Sequence, residues 1–122
     1  MIQSSSVPEY ECTPGAFWGM TGPKFVIHAS PSALKRRYGK SINDGDLESL
    51  GTYIFTSSGG AVVNVYFRAN DMWSLLLRLA RPLFWRSNTP VELTIGAASE
   101  EEGLAFAEWL ATELNAAFRK WP

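Results

Sequence analysis

Apolar positions along the chain alternate between short runs with β character and segments with a helical period. Lys24–Ser30 is rich in β-forming residues and predicts the first strand. Pro31 directly after Ser30 predicts a helix start, with Ser30 as N-cap and proline in the first position. A short helix over Ser32–Tyr38 then stops at Gly39. Glu48–Thr56 and Ala61–Arg68, joined through Ser57-Ser58-Gly59-Gly60, predict a β-hairpin. Alternation in its second strand puts Val63, Val65 and Phe67 on one face, the better core candidate. Val62, Asn64, Tyr66 and Arg68 fall on the other. Asn70 or Asp71 can cap a helix through Met72–Ala80, ended by Pro82. Its Trp73, Leu75, Leu76, Leu77 and Leu79 cover most of the circumference, so that helix is either buried on several sides or exposed as a sticky patch.

Val91–Ile95 predicts another strand, ending at Gly96. Ser99, with Glu102 three residues on, then gives a capping box. The periodicity extends this helix to about Arg119. Phe106, Ala107, Leu110, Leu114, Ala117 and Phe118 form its inward stripe, and Glu101, Glu108, Thr112, Asn115 and Arg119 lie outside. The stretch from Tyr10 to Pro23 holds Pro14, Gly15, Gly19, Gly22 and Pro23 and reads as irregular structure pinned by Phe17, Trp18 and Met20. Residues 1–8 are polar and expected to form a loose tail, leaving 9–122 as a single domain. The expected class is α+β. A small antiparallel sheet with a central hairpin packs against a long C-terminal helix and one or two shorter helices.

Composition changes this picture little. Hydrophobic residues make up 46% and charged residues 19% of the 122, which excludes extensive disorder. The formal charge of −1 gives no reason to expect nucleic acid or an anionic membrane as the direct partner. Its distribution is less even. Arg68, Arg78, Arg81 and Arg86 face only Asp71, whereas Glu92, Glu100, Glu101, Glu102, Glu108 and Glu113 follow with no Lys or Arg among them. The two segments are expected to pair within the fold, or the acidic one to meet a basic partner. The opening MIQSSSVPEYE has neither the basic nor the apolar region of a signal peptide, and no run is long enough to span a bilayer. A cytoplasmic, reduced setting is therefore expected.

No residue constellation demands catalysis. The one histidine, His28, sits in an apolar strand and reads as structural, and Cys12 has no second cysteine to pair with. Asn43-Asp44-Gly45-Asp46 lacks the spaced ligands and terminal glutamate of a calcium loop, and the glycines match no phosphate loop. Lys35-Arg36-Arg37 is a small basic cluster without interleaved aromatics. No metal, cofactor or catalytic residue is expected. The alternative is a small enzyme or ligand-binding domain with Asp44, Asp46 or His28 in a cleft between sheet and helices. A further alternative is self-association through the Trp73–Phe84 patch.

Tyr38-Gly39-Lys40, Asp44-Gly45-Asp46, Gly51-Thr-Tyr-Ile-Phe-Thr56 and Val63-Asn-Val-Tyr-Phe67 form one arrangement. Phe84-Trp85-Arg86-Ser87, Val91-Glu-Leu-Thr-Ile-Gly96 and Phe106-Ala-Glu-Trp-Leu110 continue it. Across about residues 37–110 this resembles the small bacterial immunity proteins of contact-dependent inhibition and polymorphic toxin systems. The apolar Trp73–Leu83 stretch departs from the pattern. The resemblance implies a protein that binds a cognate toxin domain, a nuclease being one such class, and blocks its active site without chemistry of its own. The contacts it then suggests are Asp44, Asp46 and Glu48 before the hairpin and Glu101 and Glu108 on the last helix, with Trp73 and Trp85 as anchors.

Overall fold

The computed structural model describes residues 9–16, 21–41, 49–68 and 81–122. The strands are β1 (Tyr10–Cys12), β2 (Gly22–Ala29), β3 (Ser49–Ser57), β4 (Val62–Arg68), β5 (Val91–Ala97) and β6 (Ala117–Lys120). Helix α1 (Pro31–Tyr38) follows β2, the single turn α2 (Arg81–Phe84) precedes β5, and α3 (Glu100–Leu114) separates β5 from β6. The strands form one six-stranded sheet in the order β1-β3-β4-β5-β2-β6, and every neighbouring pair is antiparallel. The class is α+β. The predicted tail, the Phe17–Met20 segment, the Asn43–Glu48 loop and the Met72–Ala80 helix lie outside the described residues.

The core lies on one face of the sheet. Phe25, Ile27 and Ala29 of β2, Tyr53 and Phe55 of β3, Val63 and Val65 of β4, and Leu93, Ile95 and Ala97 of β5 alternate inward. They meet Leu34 of α1, Trp85, and Phe106, Ala107 and Leu110 of α3. Burying each of the larger aliphatic and aromatic side chains contributes about 1.5–3 kcal/mol, so this layer carries most of the favourable energy. The predicted alternation in β4 holds. The opposite face is nevertheless also buried at its centre: Val26, Thr52, Ile54, Asn64 and Thr94 are each 5% exposed or less. The Asn64 amide has no hydrogen-bond partner among the described residues and sits against Gly96, its cross-strand partner, where a Cβ would collide with it.

Local chemistry sets most boundaries. Ser30 and Pro31 start α1, and Gly39 ends it at φ 83°. Ser99 Oγ accepts from the Glu102 N–H at 3.1 Å, which caps α3 as the sequence predicts. Two segments differ from expectation. The Tyr10–Pro23 stretch is not wholly irregular, since Tyr10, Glu11 and Cys12 pair with Ser57, Thr56 and Phe55 as an edge strand. The last helix stops at Leu114 rather than near Arg119. Asn115 adopts the left-handed conformation (φ 52°, ψ 54°), which asparagine tolerates better than most residues, and Ala116 N–H closes the turn onto Ala111 C=O at 2.9 Å. The chain then turns back as β6, where Ala117, Phe118, Arg119 and Lys120 pair with His28, Ile27, Val26 and Phe25. Ala117 and Phe118 are thus strand residues. Phe118 still reaches the core side and meets Phe25 edge-on with centroids 6.0 Å apart.

Gly51 combines a crowded position with a positive φ. Its φ is 138°, at the place where the β3–β4 register shifts between Ser49 and Thr52. A Cβ there would run into Ser41 Oγ and crowd the Trp85 indole nitrogen. Gly51→Ala is expected to cost more than about 2 kcal/mol, because backbone strain and overpacking act together. Urea unfolding should show a lower midpoint with an unchanged slope. A midpoint equal to wild type would mean that the strand relaxes around the added methyl.

Candidate functional site

Helix α3 combines a close approach to the sheet with five acidic side chains. Its inner face is set by Gly103, where an added Cβ would come within 2.9 Å of the Lys24 Cβ and 3.2 Å of the Phe25 ring. Backbone and strand therefore approach more closely than any side chain would allow. Phe106 and Leu110 are fully buried from the same face. With this rotation fixed, Glu101, Leu104, Glu108 and Thr112 turn outward, and Leu104 keeps 40% of its surface in solvent. The helix holds Glu100, Glu101, Glu102, Glu108 and Glu113 and no lysine or arginine.

These carboxylates fall into two groups. On the flanks, Glu100 meets Lys120 at 3.2 Å and Glu113 meets Arg37 at 2.7 Å, while Glu92 of β5 meets Arg119 at 3.0 Å. All three are surface pairs, screened by solvent and of little weight for stability. Their cations come from α1 and β6. On the outer face, no ion pair reaches Glu101, Glu102 or Glu108 among the described residues. The helix dipole accounts for acids in the first turn, where each is favoured by about 0.3–1 kcal/mol. It gives no such reason for Glu108, two turns further on.

Beside this face lies an aromatic shelf. The Tyr10 ring stands 5.0 Å from Phe106 and 5.1 Å from Trp109. Phe106 and Trp109 are stacked at 5.9 Å, and Tyr38 meets Phe55 edge-on at 4.9 Å. Tyr10, Tyr38 and Trp109 are half-buried, so the shelf reaches the surface along the β1 edge. Burial raises the phenol pKa of Tyr10, with the Glu102 carboxylate adding to it. Burial also raises that of Tyr38 and, most strongly, that of Tyr53, whose hydroxyl donates to Gly39 C=O at 2.6 Å. The Cys12 thiol is likewise pushed up by burial, the opposite of what an activated nucleophile needs.

Among the residues expected to act, Glu101 and Glu108 stand together on the outer face of α3. Trp85 is 5% exposed and packs between Tyr53 at 5.3 Å and Phe84 at 4.9 Å. Asp44, Asp46, Glu48 and Trp73 lie outside the described residues. Of the Trp73–Phe84 patch, Leu83 is 67% exposed and Phe84 leans on Phe67 at 4.7 Å. His28 is exposed on β2, directly opposite Glu92 of β5. Among the described residues no three His, Cys, Asp or Glu gather to hold a metal, and no helix is long and apolar enough to cross a membrane. Sequence reading passed over Trp109 and Tyr10. Trp109 sits within the helical pattern without declaring which side it faces, and Tyr10 joins the site only through β1. Comparison with known proteins brings no family model and no curated relative that matches the chain.

The three raised tyrosines make stability pH-dependent in a defined direction. In the folded state they hold their protons to higher pH than in the unfolded chain, so their contribution is complete below the unfolded value near pH 10. It is lost as pH rises beyond that. Thermal melts should fall steeply above about pH 10, and Tyr53→Phe should flatten that fall while lowering stability at neutral pH through loss of the Gly39 bond. An unchanged alkaline slope in Tyr53→Phe would show that Tyr53 does not drive it.

Proposed function

We propose that this chain is an immunity-type protein, which binds a cognate bacterial toxin domain in the cytoplasm of the producing cell and neutralises it by covering its active site. The observation that carries this reading is the outer face of α3. Glu101 and Glu108 stand there, with no ion pair among the described residues, on either side of the exposed Leu104. Like charges gathered on one face do little for the fold, whereas opposite a basic surface they speed encounter and select the partner. An exposed leucine among them supplies apolar contact at the centre of a charged rim. The resemblance across about residues 37–110 supports the same reading, and a nuclease, whose cleft must be basic to hold nucleic acid, is the toxin class this charge fits best.

The mechanism asks no bond-making of this chain. Occlusion needs a rigid surface in fixed orientation, which the close seating of α3 on β2 supplies, and a slow dissociation rate from a desolvated centre. Co-expression with the polypeptide encoded immediately upstream, followed by affinity capture and size-exclusion chromatography, is expected to yield a stable heterodimer in which the toxin's activity is suppressed. A neighbour without toxic activity, or one that does not associate, would sink the proposal.

A further inference from the structure

We infer that β6 is a releasable strap on β2, and that the edge it uncovers takes the β6 strand of a second copy of this chain. The toxin-binding reading plays no part in this. The starting point is a conflict between local preference and structure. Of the β6 residues, Ala117, Arg119 and Lys120 favour helix, and alanine and lysine are poor strand formers. Ala117 and Phe118 also follow Leu110 and Leu114 at helical spacing, so they continue the inward stripe of α3 in phase. The chain is diverted at Asn115, which stands at φ 52° and ψ 54°. A right-handed Asn115 lets α3 run on through the same residues. Local and global preferences that disagree in this way leave two arrangements close in energy.

Little holds the strand form. Ala117, Arg119 and Lys120 are exposed and Phe118 is half-buried. The ion pairs of Arg119 with Glu92 at 3.0 Å and of Lys120 with Glu100 at 3.2 Å are screened by solvent. What β6 covers is the edge of a buried strand, since Phe25, Val26 and Ile27 are each 5% exposed or less. The Trp121 N–H donates to Lys24 C=O at 2.9 Å. By the alternation of an antiparallel ladder, the backbone groups of Val26 and His28 then turn to β6, opposite Arg119 and Ala117, and those of Phe25 and Ile27 turn to β5. Release of β6 opens the Val26 and His28 groups as a template for another strand. The sequence that fits this edge is β6 itself: Phe118 meets Phe25 at 6.0 Å and Arg119 reaches Glu92. Once Asn115 leaves the left-handed turn, α3 carries residues 117–120 outward instead of back. A second copy then supplies the matching strand, and reciprocal exchange closes the pair as a dimer.

Hydrogen exchange on the intact wild-type chain tests the strap. The amides of Val26 and His28 should be protected at least about tenfold less than those of Phe25 and Ile27 on the same strand, with a shallower dependence on urea. Light scattering after incubation at high concentration tests the occupant. Asn115→Ala disfavours the left-handed turn and favours the continued helix, so it should raise the dimer fraction about tenfold over wild type. Asn115→Gly, at ease with positive φ and poor in helix, should lower it. Adding Arg119→Pro to Asn115→Ala removes an N–H that β6 needs for its ladder, and the dimer should be lost. If Asn115→Ala does not fold, the comparison of wild type with Asn115→Gly takes its place. Equal protection of all four amides overturns the strap. Asn115→Ala remaining monomeric, a wild-type dimer that Asn115→Gly leaves unchanged, or a dimer that survives Arg119→Pro overturns the exchange.

Discussion

The seating of α3 on β2 is the contact on which the rest of the structure depends. At Gly103 the helix backbone comes so close to Lys24 and Phe25 that no side chain fits between them. This approach fixes the depth of the helix and its rotation together. Phe106 and Leu110 then enter the core, Tyr10 and Trp109 close one flank, and Glu101, Leu104 and Glu108 have only the outward direction left. A helix held less closely would let its acids turn toward the cations of α1 and β6. The charge pattern of the surface follows from a packing constraint on the opposite side of the same helix.

Much of this was legible in the residues. Ser99 and Glu102 marked the start of α3, Ser30-Pro31 and Gly39 bracketed α1, and the period of two in β4 separated Val63 and Val65 from Asn64 and Tyr66. Each is a local signal with a local cause. The two edge strands were not legible, for different reasons. β1 is three residues long with Glu11 in the middle, too short to show a period. β6 carries Ala117 and Phe118 in positions that extend the helical stripe of α3 without a break, and only the left-handed Asn115 interrupts it. Burial of the second sheet face was hidden because Thr52, Asn64 and Thr94 are polar and look like solvent-facing positions.

The candidate site was half legible. Glu101 and Glu108 fall on the outer face by helical period alone. Trp109 and Tyr10 needed the tertiary structure, since they are brought together by a strand and a helix far apart in sequence.

The strand order has a consequence for how the protein is made. β2 lies between β5 and β6, so Phe25 waits for Ile95 on one side and Lys120 on the other. During synthesis the β3–β4 hairpin can close as soon as it emerges, while the apolar Phe25-Val26-Ile27 run remains without either neighbour until β5 has followed. Contacts this distant in sequence form slowly, and the exposed strand is prone to pair wrongly in the meantime. On the ribosome an aggregation-prone species is therefore the chain that has not yet reached β5, with β2 unpaired, and the arrival of β5 and α3 ends that exposure.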